Sequence, residues 1–429
     1  MGACMSLEFN KIVQQVYNMG AMLEKLDFDV SKALDLARER FSASGDMQRV
    51  WERIEWVRSS EISHYRGAAP TSLPNAEPIN AVVPPPSPPT YATLIAGDGS
   101  QIYPDELAPV HYYLLNIGIY VYYHSLIAGE APTPEQHTYP KLYFHRDHVH
   151  DRGGRIISNR TVDDRRTVDE LKRLAQAAWE RRSPELALVA LYDNRLLYLP
   201  GNDAYDGDDL MSEYLGAMVH MHDAGATLAG YVDNPFRAKR FIQLLFLMSI
   251  ETEAELKARQ VEISRAGDLE GLRDQQFFYA ILKDGERSAI MVQNSPQNKL
   301  FRDRGESYEI AFFYLKVNNS HQSKVVRVDI PMWVAREKER VDQLHALLLH
   351  QCQLQGRNPY PYALTRADEL AWVGGKDRKK LEELVNVEVR RLKDDLVGRT
   401  LTAKMRGKEL ARSEKRYHNM YGEDIIDER

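Results

Sequence analysis

The feature that most constrains the fold is a continuous apolar segment, Leu186 to Tyr192, which runs directly into Asp193. A strand of this composition is buried on both faces, and such strands occur in sheets that helices cover on both sides. A second apolar segment, Thr93 to Ala96, also has the pattern of a buried strand, and it stops at Gly97-Asp98-Gly99-Ser100. The sequence therefore predicts an α/β chain in which two buried strands each end at an aspartate.

An Asp-Gly dipeptide is also typical of a simple turn, so the Asp98 motif alone does not establish a functional site. Its flanking glycines leave little side-chain bulk, and a ligand or metal could approach the carboxylate closely. A second strand that ends at an aspartate favours this interpretation.

Composition limits the class of protein. The 429 residues predict about two domains, and 43% hydrophobic with 28% charged residues is typical of a soluble globular protein. Cys4 and Cys352 are the only cysteines, which excludes a disulfide framework, and no apolar run is long enough for a membrane span, so we expect a cytoplasmic protein. The net charge of −6 does not indicate nucleic-acid binding, but a local basic groove stays compatible with it. The start, with Gly2 and Cys4, fits a lipidation pattern, and we interpret it as a chance match.

The chain divides into four parts by pattern. Residues 1–66 are a helical region, with helices expected at about Phe9–Leu26, Val30–Phe41 and Met47–Val57. Residues 67–90 are rich in proline and predict an extended linker. Residues 91–375 alternate strands and helices, and residues 376–429 form a charged helical extension.

Within the α/β part, a helix is expected to open at Thr167, with Glu170 completing a capping box. The remaining expected elements are strands at 112–123, 227–232, 308–317 and 325–330, and helices at 209–224, 235–248, 331–355 and 365–372. The segment 144–151 contains three histidines and two aspartates, but it lacks the spacing of a helical zinc motif, and we interpret it as a solvated edge or loop.

Four carboxylates follow these elements in order: Asp98, Glu170, Asp193 and Asp368. Carboxylates that converge from adjacent strand ends and a flanking helix cannot all stay ionised without cations, so such a cluster attracts Mg²⁺ or Mn²⁺. Two such ions about 4 Å apart hold the attacking water and the leaving oxygen of a phosphodiester. The ribonuclease H-like fold carries its catalytic carboxylates in this order, which makes a nuclease our leading hypothesis.

The chain resembles the NurA family, DNA end-processing nucleases that work with the HerA translocase. The resemblance covers most of the chain after the linker and includes the strand into Asp193. Its other motifs are GDGSQIYPD at 97–105, LLNIG at 114–118, ERSAI at 286–290, FFYLKV at 312–317, RVDIPMWVA at 327–335 and YPYALTRADELA at 360–371. It implies a ribonuclease H-like mixed sheet flanked by helices in a nuclease domain over residues 91–375. It also implies a homodimer that digests DNA with Mn²⁺ (or Mg²⁺) and docks on a hexameric HerA-like ATPase.

The resemblance also implies roles for single residues. Asp98, Glu170, Asp193 and Asp368 would be the metal ligands and catalytic residues, with Glu180 as the alternative to Glu170. The DNA contacts would be Ser100, Arg366, Lys376, Arg378, Lys379 and Lys380. Two departures concern the phosphate contacts: the second motif reads Asp193-Asn194-Arg195 where relatives have Asp-Gly-Ser, and Asp233 or its neighbours replace a lysine that often follows the next strand.

Three alternatives stay open. The chain could be a catalytically inactive scaffold that binds and regulates the ATPase, or a ribonuclease or recombinase on the same fold. The basic residues after Asp368 could form a solvated helix face and no DNA groove. Whether the setting is DNA end resection and repair or phage defence does not follow from the sequence.

Overall fold

The computed structural model describes residues 9–59, 65–108, 110–201 and 206–392. Within these residues, eleven strands join in one mixed sheet. They are Ala68–Pro70 (β1), Val82–Val83 (β2), Tyr91–Ile102 (β3), Tyr113–Ser125 (β4), Glu135–Tyr143 (β5), Ala187–Tyr192 (β6), Thr227–Val232 (β7), Arg287–Ser288 (β8), Met291–Gln293 (β9), Ile310–Asn318 (β10) and Ser323–Pro331 (β11).

The strand order is β1-β9-β10-β11-β7-β6-β3-β4-β5, and β8 pairs with both β10 and β2. Strands β3, β4 and β5 form an antiparallel meander, while β6 and β7 run parallel to β3 on its other side. The order β5-β4-β3-β6-β7 is that of a ribonuclease H-like core. The predicted fold class is therefore confirmed.

The α-helices among the described residues are of very different lengths. They are Val13–Ala43 (α1), Met47–Ser59 (α2), Arg146–Val149 (α3), Asn159–Glu180 (α4), Gly207–Asp223 (α5), Arg240–Leu247 (α6), Glu253–Ala258 (α7), Gln260–Ile263 (α8), Asp274–Ile281 (α9), Pro296–Asp303 (α10), Met332–Ala335 (α11), Lys338–Gln353 (α12), Tyr362–Ala371 (α13) and Gly375–Leu392 (α14). In the part of the chain that the structure describes, no helix is both long enough and apolar enough to span a bilayer.

Helices cover both faces of β3 and β4. A Cβ atom placed at Gly97 would lie 3.5 Å from the Leu174 side chain of α4, whereas one at Gly118 would touch the backbone of α13. Because side chains alternate along a strand, Gly97 and Gly99 face α4, and Asp98 faces the opposite side. Asp98 pairs with Gly118 on β4, so Asp98 shares the face that α13 covers.

The N-terminal helices differ from the prediction. The two helices expected before Phe41 are one, α1, because the residues between them (Asp27, Phe28 and Asp29) include no glycine or proline that would interrupt it. The second half packs on the chain's own core, where Phe41 contacts the rings of Phe241 and Phe277.

The helix that carries Glu170 also begins earlier than predicted. It starts at Asn159, and the Ser158 side chain accepts a hydrogen bond from the Thr161 amide, so Ser158 is the N-cap and the expected capping box at Thr167 is wrong. The added turns are held by Val162, which packs in a small cluster with Tyr113, Leu115 and Val149.

Other elements follow the prediction with shifted ends. The strand at Thr227–Val232 has the expected bounds, but the helix expected at 235–248 begins only at Arg240. The helix expected at 331–355 is two helices, because Glu337 adopts an extended conformation between them. The helix expected to begin at Thr365 starts at Tyr362.

The segment 67–90 lies along the sheet. Ala68 pairs with Gln293 and Val82 pairs with Ser288, so both ends of this proline-rich segment contribute short strands. The domain boundaries given above stay a prediction. Gly2, Cys4 and the C-terminal extension beyond Leu392 lie outside the described residues.

Candidate active site

Asp98 lies inside a strand and not at its end. The prediction that β3 stops at Gly97 is wrong, because pairing with β4 continues from Gly97 to Ile102. The parallel neighbour β6 does end there, since its last pair with β3 is Gly97 with Tyr192. Asp193 is the next residue, so Asp98 and Asp193 follow the same rung of the sheet on adjacent strands.

Glu170 approaches this rung from α4. Its side chain is buried, and its Oε1 atom would lie 2.4 Å from a Cβ placed at Gly99. The absence of a side chain at position 99 is therefore what lets the carboxylate reach the strand. Glu180 has a different environment: it is exposed at the end of α4 and accepts a hydrogen bond from Gln176. Of the two glutamates, only Glu170 lies at the sheet.

Asp368 is exposed on α13, which is fastened to β3 and β4. The Ser100 hydroxyl donates to the Ala371 carbonyl oxygen at 2.5 Å, and the Asn116 amide donates to the same oxygen at 2.8 Å. A Cβ at Gly118 would lie 2.5 Å from the Ala367 carbonyl oxygen, so only glycine permits this close packing. These contacts place Asp368 on the Asp98 side of the sheet.

The four carboxylates interact electrostatically. Burial, then repulsion from Asp193 and Asp368, raises the pKa of Asp98 to about 7. Burial also raises the pKa of Glu170 to about 8, against the attraction of Arg166, whose Nε lies 3.2 Å from Glu170 Oε1. The pKa of Asp193 is raised by burial and by the charges of Asp233 and Asp368.

This donor set fits a divalent cation by its chemistry. The buried Oε1 atom of Glu170 accepts no hydrogen bond from any described residue. Carboxyl groups with raised pKa values lose protons readily once a cation offsets their charge. Within residues 9–59, 65–108, 110–201 and 206–392, however, no three histidine, cysteine, aspartate or glutamate side chains are arranged to hold one ion together. The fit to a divalent cation is therefore one of donor chemistry, and the described side chains do not form a three-ligand site as they stand.

Several residues of the site did not emerge from the sequence. Tyr360 lies close enough to Asp193 to favour the charged form of that carboxyl, which opposes the rise in its pKa. Lys324 of β11 lies 2.5 Å from Asp233 Oδ1 and 2.8 Å from Asn358 Oδ1. Lys324 thus brings a positive charge beside Asp233. The four-residue spacing of Arg166 and Glu170 is a helix-pair signal that could have identified Arg166.

The residues predicted to bind DNA have varied surroundings. The Ser100 hydroxyl is engaged with α13, as described above. Arg366 forms an ion pair with Glu369 and lies 5.9 Å from the Tyr120 ring centroid. The four basic residues of α14 (Lys376, Arg378, Lys379 and Lys380) are exposed, and Arg378 pairs with Glu382. Their role in DNA binding stays a prediction.

In the described part of the chain, the histidine-rich segment 144–151 makes no hydrogen bond or ring contact with the four carboxylates. It forms the single turn α3, and His150 Nε2 lies 3.1 Å from His111 Nδ1. Residues 144–148 are exposed, which agrees with the interpretation that the segment is solvated.

Comparison with known proteins gives a family match. A family model described as the NurA domain matches residues 92–373. Among solved structures, the chain is similar to a crystal structure of NurA bound to dAMP and manganese (13% identity over 72% of this chain and 90% of that chain, TM-score 0.36). It is also similar to a crystal structure of NurA with manganese (12% identity over 72% of this chain and 92% of that chain, TM-score 0.36). A third similar structure is that of human ENDOV (12% identity over 77% of this chain and 98% of that chain, TM-score 0.26). No sequence among the curated proteins matches the chain.

Proposed function

Because the chain belongs to the NurA family, whose model matches residues 92–373, we propose that it is a divalent-metal-dependent deoxyribonuclease that hydrolyses phosphodiester bonds of DNA. The observation that carries the proposal is the meeting of carboxylates on adjacent strands. Asp98 and Asp193 come directly after one pair of residues on adjacent strands, and α13 brings Asp368 within electrostatic range of both aspartates. Glu170 lies against Gly99 on the opposite face of β3, and its charge interacts with both aspartates from there. The alternative, an inactive scaffold, gives no reason for three carboxyl groups with raised pKa values to lie near one another at such an electrostatic cost.

We propose Mn²⁺, or Mg²⁺, as the cofactor and Asp98, Glu170, Asp193 and Asp368 as the residues that would hold it. NurA structures have been solved with manganese, which makes this ion the first to test. When bound at carboxylates, such ions activate water and neutralise charge at the phosphate.

The chain's own groups support this chemistry. Tyr360 favours the charged form of the Asp193 carboxyl, and the Arg166 guanidinium holds Glu170 toward the sheet. Lys324, beside Asp233, offers a positive charge for a phosphate oxygen.

Cleavage of end-labelled DNA tests the function. Purified protein is incubated with single-stranded and double-stranded DNA, with Mn²⁺ or with a chelator. We expect cleavage only with the metal, and none from Asp98→Asn, because an amide cannot replace the charge of an anionic ligand. A wild-type protein that binds an ATPase but never cleaves DNA would support the scaffold alternative, and full activity in Asp98→Asn would remove Asp98 from the site.

We further propose that the chain dimerises and docks on a hexameric HerA-like ATPase, which feeds DNA to the carboxylates in end resection, repair or phage defence. The family resemblance supports this, as do apolar side chains exposed on terminal helices, among them Val16 and Tyr17 of α1 and Leu384 and Val387 of α14. Light scattering and co-elution with an ATPase encoded beside this chain test it. A monomer that does not co-elute contradicts it.

A further inference from the structure

One tryptophan differs from all the others in the chain. Trp372 is 70% exposed, and none of the described residues places an aromatic ring or a cation over its indole. The four other tryptophans are buried or partly buried, and each has such a partner: Trp51 with Arg58, Trp56 with Arg53, Trp179 with Arg182, and Trp333 with Tyr308. Trp372 is thus the one tryptophan of the five whose indole surface is free for a ligand.

Trp372 lies directly beside the candidate active site. It is the C-cap of α13, and its backbone amide donates to the Asp368 carbonyl oxygen at 2.9 Å. The indole is therefore attached one helical turn from a carboxylate that acts electrostatically on Asp98 and Asp193.

The attachment is rigid. The preceding carbonyl oxygen, that of Ala371, accepts hydrogen bonds from both Ser100 and Asn116, which belong to β3 and β4. On the other side, the ring lies against the backbone at Gly374, where a Cβ would come within 3.1 Å of the indole. A rigid aromatic side chain provides contact area at a low cost in conformational entropy.

Positive charge follows immediately. Helix α14 begins at Gly375 and exposes Lys376, Lys379 and Lys380 in its first two turns. Proteins that bind single-stranded nucleic acid combine these two elements: cations that follow the phosphates, and an aromatic ring on which a base stacks.

We propose that Trp372 is a stacking platform for an unpaired base of the bound DNA. This rests on the proposed function and adds to it a residue that contacts a base beside the carboxylates. In an intact duplex the faces of the bases are occupied by their neighbours, so an indole gains this contact only where a base is unstacked.

Binding measurements test the proposal in full-length protein carrying Asp98→Asn, so that cleavage does not interfere. The probes are a labelled oligothymidylate and a blunt duplex of equal length. We expect Trp372→Ala to weaken binding of the single strand by about 5- to 150-fold, which is 1–3 kcal/mol at 1.4 kcal/mol per tenfold change, and to leave duplex binding nearly unchanged. Trp372→Phe should keep most of the affinity. Tyr279→Ala is the matched control, because Tyr279 is 50% exposed on a different helix, α9.

Indole fluorescence gives a second measurement. Oligothymidylate should quench part of the emission in the parent protein, and this part should be missing in Trp372→Phe. Equal affinities of Trp372→Ala and Tyr279→Ala for the single strand would overturn the proposal, as would equal losses for single strand and duplex.

A parallel cleavage assay of the wild-type chain separates the two hypotheses. Mn²⁺-dependent cleavage together with unchanged binding by Trp372→Ala overturns only the stacking proposal. Failure of the wild-type chain to bind and to cleave any DNA overturns the proposed function and the stacking proposal with it.

Discussion

Glu170 and Glu180 occupy the same helix but have different chemistry. Glu170 is buried against Gly99, and its charge interacts with Asp98 and Asp193. Glu180 is exposed and pairs with Arg181. A side chain's neighbours, and not its type or its place on a helix, decide whether it can serve the site.

Substitution of each glutamate should therefore give opposite results. Glu170→Gln should reduce Mn²⁺-dependent cleavage by at least about a hundredfold, since changes even to groups that only orient metal ligands cost 10- to 100-fold. Glu180→Gln should stay within about twofold of the wild type. The measurement is the cleavage rate at saturating DNA, with circular dichroism to verify folding. Loss of activity in Glu180→Gln alone would show that the assignment of Glu170 is wrong.

At the scale of elements, the site depends on how α13 packs on the sheet. Ser100 and Asn116 bind the last carbonyl of α13, and Gly118 lets the helix backbone approach β4. The serine of the DGS motif therefore has a structural contact here, in addition to any contact with DNA.

Gly118→Ala should displace α13. The new Cβ would lie 2.5 Å from the Ala367 carbonyl oxygen and 2.7 Å from the Ala371 amide nitrogen, both of them backbone atoms. We expect a loss of about 1–3 kcal/mol in the free energy of unfolding. Cleavage should also need a higher Mn²⁺ concentration, because Asp368 moves. Gly216→Ala in α5 is the control: its Cβ meets nothing within 4 Å, so the change should be neutral or stabilising by up to about 1 kcal/mol. Urea unfolding of both variants measures the difference, and equal stabilities would contradict this account of the packing.

Helix α14 allows a test of the basic groove. Alanine at Lys376, Arg378, Lys379 and Lys380 together should weaken DNA binding about equally for all sequences and flatten its salt dependence by roughly 0.7–0.9 in slope per lost phosphate contact. Cleavage at saturating DNA should survive, because these charges position the DNA and bind no metal.

The control for this test removes the same number of lysines and arginines from other helices. It replaces the exposed Lys257, Lys299, Arg302 and Lys338. Binding is measured against salt in the Asp98→Asn background. If both quadruple variants keep the parent's slope, α14 presents a solvated face and no groove.

At the scale of the whole molecule, the carboxylates that serve the site also reduce the stability of the fold. The pKa of Asp98 is raised to about 7 and that of Glu170 to about 8, mainly by burial. The folded chain therefore keeps protons that the unfolded chain releases as the pH rises from about 4 to 8. The stability associated with these protons is fully present at low pH and is lost as the pH rises through the two pKa values.

The metal-free protein should thus lose on the order of 6 kcal/mol of unfolding free energy from these two groups between pH 5 and pH 8. Asp98→Asn should show a smaller fall, and Mn²⁺ at pH 8 should restore stability to the wild type more than to this variant. Urea unfolding with a chelator or with Mn²⁺ measures both effects. A fall of the same size in Asp98→Asn would exclude Asp98 as its source.

Local sequence patterns were enough to predict several parts of this protein. The apolar segment before Asp193 predicted a buried central strand, and it is β6. The bounds of β7 were predicted correctly because its apolar residues end where its buried positions end. The order of four carboxylates and the motifs around them indicated the family that the family model confirms. Such features follow from which side chains must leave water, and neighbouring residues are enough to show that.

Contacts between residues far apart in the chain could not be predicted from local patterns. Nothing near Asp98 in sequence shows that β3 continues to Ile102, because its partner β4 supplies the hydrogen bonds. Ser100 meets Ala371, and Lys324 meets Asp233, through contacts between elements far apart in sequence. The helix of Glu170 begins at Asn159 because Val162 finds a cluster built from other elements. Local patterns determine which residues are buried, whereas the packing of whole elements determines which residues contact one another. The candidate active site depends on such contacts.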